Sequence, residues 1–357
     1  MKVVVDSAIP FIKGVLEPYA SVVYLKGSEI SKSDVMDAQG LIIRTRTKCT
    51  SDFLSGSDIK FIASATIGKD HVDLEFCKRN NILFTNAAGC NSMGVVQYVL
   101  TALFSIKGFD LQGKTIGIVG AGNIGERLAR LAPAFGYNVL RCDPPLENAI
   151  KSNSSVFKDD SLRNDLKPDD YFSLDYVLAN SHIVTLHVPF EKSTANMAND
   201  SFFGSMQNGS IFINASRGEV VDEESLLHFR NKFAAVILDV WQGEPLINRY
   251  LLDVASIATP HIAGYSLEGK INATVMVVNS FGNFFNIGEL SNFKIGYPLA
   301  PELPLVNDTG FLLREFFPIF ETDSLLKGNP DLFEQIRNDY QYRREIPESL
   351  IEFVKKR

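Results

Sequence analysis

The stretch Thr115–Asp143 constrains the fold of this chain more than any other part of the sequence. It begins with a short β-rich run, Thr115–Val119, and continues through the glycine spacing G-x-G-x-x-G into a helix-like segment and a second apolar run that ends at Asp143. This order of strand, glycine turn, helix, strand and carboxylate is typical of a dinucleotide-binding α/β unit. The sequence therefore predicts a parallel sheet with a nucleotide site at the glycine turn.

Each glycine of this turn has a separate physical task. Gly120 permits the tight turn, Gly122 lets the backbone approach a pyrophosphate, and Gly125 lets the helix lie close to its strand. The N–H groups at the helix start would then face the anion. Asp143 can accept hydrogen bonds from a ribose diol, and its charge would repel a 2′-phosphate, so the sequence favours NAD over NADP. The predicted cofactor contacts in the turn are Gly120, Gly122, Asn123, Ile124 and Gly125.

Length, charge and cysteine spacing limit the class of protein. A chain of 357 residues exceeds what one hydrophobic core usually serves, so we expect two or three domains. The formal net charge of −7 argues against a nucleic-acid partner and against an anionic membrane surface. No apolar run is close to the length that a membrane-spanning helix needs, which is about 18 residues. The four cysteines lack paired or metal-like spacing, so we expect a cytoplasmic protein without a metal site.

Apolar runs that alternate with amphipathic segments predict two doubly wound parallel-sheet domains, of the Rossmann or flavodoxin-like kind. Besides Thr115–Val119, the predicted strands are Val3–Val5, Val22–Leu25, Leu41–Ile43, Phe61–Ala63, Ile82–Phe84, Asn138–Cys142, His182–His187, Ser210–Asn214, Ala234–Leu238 and Ser256–Thr259. Apolar residues at helical spacing predict long helices at Asn91–Ile106 and Ser266–Phe285.

These elements predict three domains. They are a substrate-binding domain at 1–95 completed by 268–287, an NAD-binding Rossmann domain at 96–267, and a small C-terminal α+β dimerisation domain at 288–357. The C-terminal part is richer in proline and aromatic residues and ends in a charged, helix-like tail at 332–356. The polar stretch 144–172 is predicted as a surface insertion.

Three polar residues follow predicted strand ends of the nucleotide domain: Arg217, Glu244 and His261. Open α/β sheets bind their ligands at such ends. His261 could accept the hydroxyl proton of a secondary alcohol, Glu244 could orient the imidazole ring, and Arg217 could grip a substrate carboxylate. Each also has a structural alternative. His261 could be a hydrogen-bonded core histidine, Glu244 a turn carboxylate, and Arg217 a surface charge. Their joint occurrence at successive strand ends favours a catalytic site.

Three further positions are predicted to approach the cofactor. His187 and Val188 follow a predicted strand and would line the nicotinamide or ribose side, with a structural role for His187 left open. Asp239 could reach the nicotinamide amide, or it could serve as a buried cap.

The motif order G-x-G-x-x-G, Asp, A-S-R-G, G-E-P and P-H-I-A-G, found within residues 1–285, resembles the D-isomer-specific 2-hydroxyacid dehydrogenases. The resemblance implies that Arg217, Glu244 and His261 are catalytic, with His261 as the proton donor and acceptor. It implies NAD contacts for Asp143, Val188, Ala215, Ser216, Asp239 and Gly264. We also predict NAD contacts for His187 and Arg217. It also implies substrate contacts for Thr45, Thr66 and Tyr265.

Further motifs narrow the implied reaction within the family. They include A-T-I-G-K-D-H at Ala65–His71, H-I-A-G-Y-S-L-E-G at His261–Gly269, and Y-x-x-R-R-E at Tyr340–Glu345. The resemblance implies that a phosphorylated 2-hydroxy acid, 4-phospho-D-erythronate, is oxidised by NAD to 2-oxo-3-hydroxy-4-phosphobutanoate. This reaction would belong to pyridoxal 5′-phosphate synthesis, and the enzyme would be a homodimer formed through its C-terminal part.

The substrate phosphate must be met by local cations, because the chain as a whole is acidic. We predict that Arg44, Arg46 or Lys69 contributes, although a solvated surface charge is the alternative for each. Two other functions stay open. One is dehydrogenation of another D-2-hydroxy acid such as 3-phosphoglycerate, and the other is NAD sensing by a binding protein without turnover.

Overall fold

The computed structural model of the chain describes residues 1–108, 112–152, 162, 165–299 and 308–355. The strands are β1 (Lys2–Asp6), β2 (Ser21–Leu25), β3 (Gly40–Ile43), β4 (Phe61–Ser64), β5 (Leu83–Asn86), β6 (Thr115–Val119), β7 (Asn138–Cys142), β8 (Ile183–Leu186), β9 (Ile211–Asn214), β10 (Ala235–Leu238) and β11 (Ile257–Ala258). Every strand predicted from the apolar runs is present, so the periodicity of the sequence identified the sheets correctly.

The helices between these strands vary from single turns to long helices. They are α1 (Lys32–Val35), α2 (Ser51–Leu54), α3 (Leu74–Arg79), α4 (Ser92–Ser105), α5 (Asn123–Leu131), α6 (Pro144–Lys151), α7 (Leu174–Asn180), α8 (Asp200–Ser205), α9 (Glu223–Phe229), α10 (Arg249–Val254), α11 (Leu267–Phe285), α12 (Gly288–Ser291), α13 (Thr309–Phe316), α14 (Ile319–Gly328), α15 (Phe333–Asp339) and α16 (Glu348–Lys355). The two long helices predicted from the sequence correspond to α4 and α11.

The chain divides into two compact units. The first consists of Met1–Asn91 and Leu267–Leu299, and the second of Ser92–Ser266 and Ala300–Arg357. The first unit is therefore discontinuous in sequence. The division into three domains, with a separate C-terminal domain at 288–357, stays a prediction.

The first unit contains a parallel sheet with the strand order β2-β1-β3-β4-β5. Side chains alternate between its two faces, as the pleat requires. Val3, Val5 and Ile42 contribute to one buried cluster, in which α11 participates through Phe281. Val4 and neighbouring residues contribute to a second cluster on the opposite face. Helices thus cover both faces, which explains the continuous apolar runs in the sequence.

The second unit contains a parallel sheet with the strand order β11-β10-β9-β8-β6-β7. From β6 the chain passes to β7 at the edge, and the next strand, β8, pairs with β6 on its other side. This reversal of strand order is the place where doubly wound sheets open a crevice for a ligand. The two units together give the predicted architecture of two parallel-sheet α/β domains.

The C-terminal helices contribute to the core of the second unit. Leu312, Leu313 and Phe317 share a buried cluster with residues of α4, and Leu326 and Phe333 belong to the cluster on the other side of the sheet. The tail predicted as helix-like at 332–356 is interrupted, because α15 ends at Asp339 and α16 begins only at Glu348. The intervening segment contains Pro347, which has no N–H group for a helical hydrogen bond.

The predicted insertion at 144–172 is only partly described. Its first residues form α6, which carries proline at its start and has no buried residue. A 3-10 turn follows at Pro168–Asp170. Residues 153–161, 163 and 164 lie outside the described part of the chain, so the prediction is not tested there.

All four cysteines are buried thiols. Within the described ranges, no helix is both long and apolar enough to cross a membrane. In the same part of the chain, no group of three or more His, Cys, Asp and Glu side chains is arranged to hold a metal ion.

Candidate active site

The glycine turn between β6 and α5 has the shape that a dinucleotide site needs. Gly120 has a φ of +93°, and a Cβ there would lie 2.7 Å from the carbonyl carbon of His187. A Cβ on Gly125 would lie only 2.0 Å from the carbonyl oxygen of Gly120, so the helix can approach the strand only through glycine. A Cβ on Gly122, the N-cap of α5, would have no neighbouring atom within 4 Å. The turn therefore leaves room for a phosphate at the helix start.

Asp143 connects the end of β7 to the glycine turn. Its Oδ2 accepts a hydrogen bond from the Ala121 N–H at 2.9 Å, and its Oδ1 accepts one from the Leu146 N–H at 3.0 Å. The residue therefore caps α6 and fixes the turn. A carboxylate has about four acceptor positions, so capacity for a ribose hydroxyl is left over.

His261 and Glu244 form the central polar pair of the second unit. His261 Nδ1 lies 2.8 Å from Glu244 Oε2, and the two side chains are 28% and 18% exposed. The other carboxylate oxygen of Glu244 accepts the Trp241 N–H at 3.0 Å. Burial alone would raise the pKa of Glu244, but the charge and hydrogen bond of His261, the charge of Arg337 and the Trp241 N–H hold it below its ordinary value. Glu244 is therefore ionised at neutral pH and orients the imidazole.

Asp239 holds the backbone that carries His261. Its carboxylate is almost fully buried and accepts hydrogen bonds from the Thr259 hydroxyl at 2.7 Å, the Ile262 N–H at 2.7 Å and the Ala263 N–H at 2.9 Å. The His261 N–H donates to the Asp239 carbonyl at 2.7 Å. This support keeps His261 in a left-handed conformation with a φ of +58°, which a residue with a Cβ adopts only when its surroundings enforce it. Burial raises the pKa of Asp239.

The loop that carries Arg217 is fixed by Asn214 at the end of β9. The Asn214 side chain is buried, donates to the Arg217 carbonyl at 2.9 Å, and accepts the Ser216 N–H at 3.0 Å and the Ser216 hydroxyl at 2.8 Å. A Cβ on Gly218 would lie 2.0 Å from the carbonyl carbon of Trp241. The Arg217 loop therefore lies against the backbone that leads to Glu244.

His187 and Val188 follow β8, directly beside the glycine turn. Burial lowers the pKa of His187 to about 3, so the ring is neutral at physiological pH. Its Nε2 lies 3.1 Å from the Thr185 hydroxyl, and its Nδ1 is buried without a hydrogen-bond partner among the described residues. Val188 Cγ1 would lie 2.9 Å from a Cβ on Gly120. Both residues thus lie beside the glycine turn, and their contacts with the cofactor stay predictions.

The predicted substrate contacts of the first unit follow two neighbouring strands. Thr45 lies in the turn after β3, and Thr66 follows β4. Thr45 is exposed, whereas the half-buried Thr66 hydroxyl lies 2.8 Å from that of Ser64. Arg44 is ion-paired at 3.2 Å with the fully buried Asp6 at the end of β1. Because these strands are parallel, their carboxyl ends present the side chains on one edge of the sheet.

The whole chain is similar to proteins named erythronate-4-phosphate dehydrogenase. The protein of that name from Bacteroides thetaiotaomicron is 40% identical over 355 residues, which cover 97% of each chain. The one from Porphyromonas gingivalis is 34% identical and covers 97% of this chain and 94% of its own length. Residues 97–263 match the family model described as "D-isomer specific 2-hydroxyacid dehydrogenase, NAD binding domain". The chain belongs to the D-isomer-specific 2-hydroxyacid dehydrogenases.

Solved structures of this dehydrogenase family have the same fold. D-lactate dehydrogenase from Aquifex aeolicus, solved with NAD and lactic acid, is 26% identical, has a TM-score of 0.65, and aligns with 84% of this chain and 100% of its own. The NAD+-bound 3-phosphoglycerate dehydrogenase from Entamoeba histolytica is 24% identical, also with a TM-score of 0.65 over 84% of this chain and 99% of its own, and supports the fold alone. As a member of the family, this protein is an NAD-dependent dehydrogenase.

For a dehydrogenase of this family, the structure brings some predicted site residues together directly. His261 is hydrogen-bonded to Glu244, and Gly264 and Tyr265 lie in the same segment as His261. Ala215 and Ser216 are nearly buried and support the Arg217 loop. The individual roles of these residues toward NAD and substrate stay predictions.

Sequence reasoning missed residues that hold the predicted catalytic ones. Asn214 precedes the A-S-R-G motif, and its position at a strand end was a signal that could have identified it. Arg337 and Arg343 lie far from His261 in sequence, and the Y-x-x-R-R-E motif that contains Arg343 was used only for the family resemblance.

Proposed function

We propose that this dehydrogenase oxidises 4-phospho-D-erythronate to 2-oxo-3-hydroxy-4-phosphobutanoate with NAD, as a step in pyridoxal 5′-phosphate synthesis. The observation that carries the proposal is the His261–Glu244 pair at the carboxyl edge of a nucleotide-binding sheet, in a chain similar over 97% of its length to proteins named for this substrate. The same pair would serve any 2-hydroxy acid, so the choice of substrate depends on the relatives' names.

The catalytic steps follow from the geometry of the pair. His261 Nε2 accepts the proton of the substrate's 2-hydroxyl as the C2–O bond becomes a carbonyl. Glu244 holds Nδ1 and stabilises the imidazolium that forms. Arg217 binds the substrate carboxylate and polarises the neighbouring oxygen. When bound, NAD supplies the acceptor for the hydride that leaves C2.

The cofactor would lie along the glycine turn. Gly122 and the first turn of α5 would meet the pyrophosphate, and Asp143 would accept hydrogen bonds from the adenosine ribose. His187, neutral and beside the turn, would line the nicotinamide or ribose side. The carboxylate of Asp143 opposes a 2′-phosphate, which accounts for NAD rather than NADP.

The substrate phosphate would be bound by cations that follow β3 and β4. Arg46 and Lys69 are exposed, and Arg44 is held half-buried against Asp6. Thr45 and Thr66 supply hydroxyl groups at the same edge of the sheet. This arrangement supplies local positive charge in a protein whose net charge is −7.

A side-by-side assay tests the proposed substrate. Purified protein with NAD and 4-phospho-D-erythronate should produce the absorbance of reduced nicotinamide, with kcat/KM well above that for 3-phosphoglycerate. Equal or higher kcat/KM for 3-phosphoglycerate would replace the proposed substrate. Saturable NAD binding without turnover on either acid would favour a nucleotide-sensing protein.

Assembly and location belong to the same proposal. The C-terminal part is proposed to form a homodimer, and a cytoplasmic location agrees with four cysteines that lack paired spacing. Sedimentation equilibrium at micromolar protein should give twice the chain mass. A monomer at all concentrations would remove the dimer from the proposal.

A further inference from the structure

The segment that carries His261 is held by residues from the C-terminal part of the chain. Arg343 is 7% exposed and donates through Nη1 to the carbonyls of Ile262 at 3.0 Å and Tyr265 at 3.2 Å. Its Nη2 donates to the carbonyl of Gly94 at 2.8 Å and also to that of Ala263. A single buried guanidinium thus ties the residues after His261 to α4.

Three further contacts extend this attachment. The Ser266 hydroxyl donates to Glu345 Oε1 at 2.6 Å, and Ser266 also forms a parallel β-bridge with Arg343. The Arg343 guanidinium lies 4.3 Å from the ring centre of Phe317, which belongs to the core of the same unit. The segment that contains Arg343 and Glu345 is therefore held against the segment that follows His261.

Arg337, on α15, reaches the catalytic pair itself. Its Nε donates to the Tyr265 hydroxyl at 3.2 Å, and its Nη1 lies 3.9 Å from Glu244 Oε2. That oxygen is the one bound to His261 Nδ1. The Arg337 side chain is 19% exposed, so solvent screens its charge only in part.

We propose that Arg337 is a positioning residue of the active site, whose guanidinium fixes the Glu244 carboxylate against His261 and orients the Tyr265 hydroxyl toward the substrate. The proposal rests on the proposed 2-hydroxyacid oxidation, because it gives Tyr265 and the catalytic pair their roles. The C-terminal segment thereby completes a catalytic site that the strand ends of the sheet begin.

The charges around Glu244 explain why a second cation matters. His261 approaches Glu244 from the segment after β11, Arg337 approaches it from α15, and the Trp241 N–H binds its other oxygen. Asp239, whose carbonyl accepts the His261 N–H, is a second carboxyl group that interacts with the charge of His261. Among the described residues, Arg337 supplies a positive charge beside Glu244 that does not depend on the protonation of His261, so the carboxylate is held in place before the proton arrives.

The test compares R337M and R337K with R314M. Arg314 is a matched control, because it is also a half-buried arginine of a C-terminal helix but donates to the Phe104 carbonyl at 3.0 Å. We expect R337M to lower kcat about 10- to 100-fold through misplacement of the pair, with NAD affinity unchanged. R337K should recover part of kcat, and R314M should retain the wild-type value.

The pH profile separates a positioning role from a merely structural one. In the direction of 2-oxoacid reduction, the acidic limb of the plot of kcat against pH requires an ionised Glu244. Because R337M removes a neighbouring cation, that limb should move to higher pH by about one unit. R337K should return the limb to its wild-type position. An unshifted limb, or loss of kcat in R314M equal to that in R337M, would overturn the proposal.

Two further measurements separate the positioning role from its alternatives. A rise in KM confined to the phosphorylated acid, with kcat unchanged, would make Arg337 a phosphate ligand and would also overturn the positioning role. If the wild-type protein oxidises neither acid, the proposed function fails, but the Glu244 carboxyl can still be titrated by ¹³C NMR, with its signal assigned by its absence in E244Q. A higher titration midpoint in R337M would then support the charge contact, and an unchanged midpoint would reject it.

Discussion

The two parallel sheets end in edges that differ in how firmly their polar residues are held. On the second sheet, the segments after β9, β10 and β11 carry Arg217, Glu244 and His261, which we call the reaction edge. On the first sheet, the segments after β3 and β4 carry Arg44–Arg46 and Thr66–Lys69, which we call the substrate edge. Each reaction-edge segment is tied by a buried side chain, Asn214 or Asp239, or by a backbone N–H such as that of Trp241.

The substrate edge is more exposed. Thr45, Arg46 and Lys69 are exposed, and Arg44 is half-buried in an ion pair with the fully buried Asp6. This difference in exposure fits the different roles that we propose for the two edges, proton transfer and phosphate binding. Proton transfer needs groups held within a few tenths of an ångström, whereas a phosphate can be met by flexible cations that approach it from solvent.

The largest expected effect is loss of the proton acceptor at the reaction edge. H261N should lower kcat by about 10²- to 10⁴-fold, because no general base remains for the hydroxyl proton. NAD affinity, measured by fluorescence titration with reduced nicotinamide, should stay within a factor of two, about the limit of such a titration. H228N, an exposed histidine on α9, serves as the control and should be unchanged. Retained turnover in H261N would remove the catalytic assignment and with it the contrast between the edges.

The substrate edge should respond in KM rather than in kcat. R46A and K69A should raise KM for the phosphorylated substrate about tenfold, with KM for NAD unchanged, because a charge-assisted bond to the phosphate is lost. R44A should raise KM as well and should also lower the free energy of unfolding, because Asp6 would stay buried without its cation. K26A is a control on the loop after β2. Unchanged KM in all three variants would refute the phosphate assignment.

The support of the reaction edge can be weakened without touching a reacting group. D239N replaces one carboxylate oxygen by an amide nitrogen, which donates but cannot accept a hydrogen bond, so the N–H of Ile262 or that of Ala263 loses its partner. The free energy of unfolding should fall by about 1 to 3 kcal/mol. In urea unfolding, the comparison is S64A at the end of β4, beside the substrate edge. This variant removes a buried hydroxyl that lies 2.8 Å from the Thr66 hydroxyl and 3.2 Å from His71 Nε2, rather than a carboxylate. Equal losses in the two variants would contradict the difference in rigidity.

The sequence was sufficient for the sheets and for part of the reaction edge. Apolar periodicity located every strand of the described residues, and position after a strand end singled out His261 and Glu244, which are hydrogen-bonded to each other. Both signals are local in the chain. The contacts of Arg337 and Arg343 were beyond such reasoning, because they join residues more than 70 positions apart. The break between α15 and α16 contains Pro347, a local signal that the prediction of a helix-like tail did not use, and Arg343 within this segment forms a β-bridge with Ser266.

The smallest expected effect concerns the pH dependence of stability at the reaction edge. The pKa of Glu244 lies below its ordinary value of 4.5 in the folded protein, although burial alone would raise it, because the charge and hydrogen bond of His261, the charge of Arg337 and the Trp241 N–H outweigh burial. A carboxyl group with a lowered pKa binds its proton more weakly when folded. The stability that it contributes is therefore fully present above pH 4.5 and is lost as the pH falls through the folded pKa.

E244Q removes this contribution at every pH. The difference in Tm between the wild-type protein and E244Q should be largest at neutral pH and should shrink as the pH is lowered from 5 towards 3, about the range in which such a carboxyl group titrates. E224Q, which changes an exposed glutamate on α9, should show no comparable trend. A difference that grows on acidification would mean that burial, rather than the cations around Glu244, controls its ionisation, and the reaction edge would then lack the electrostatic support that distinguishes it from the substrate edge.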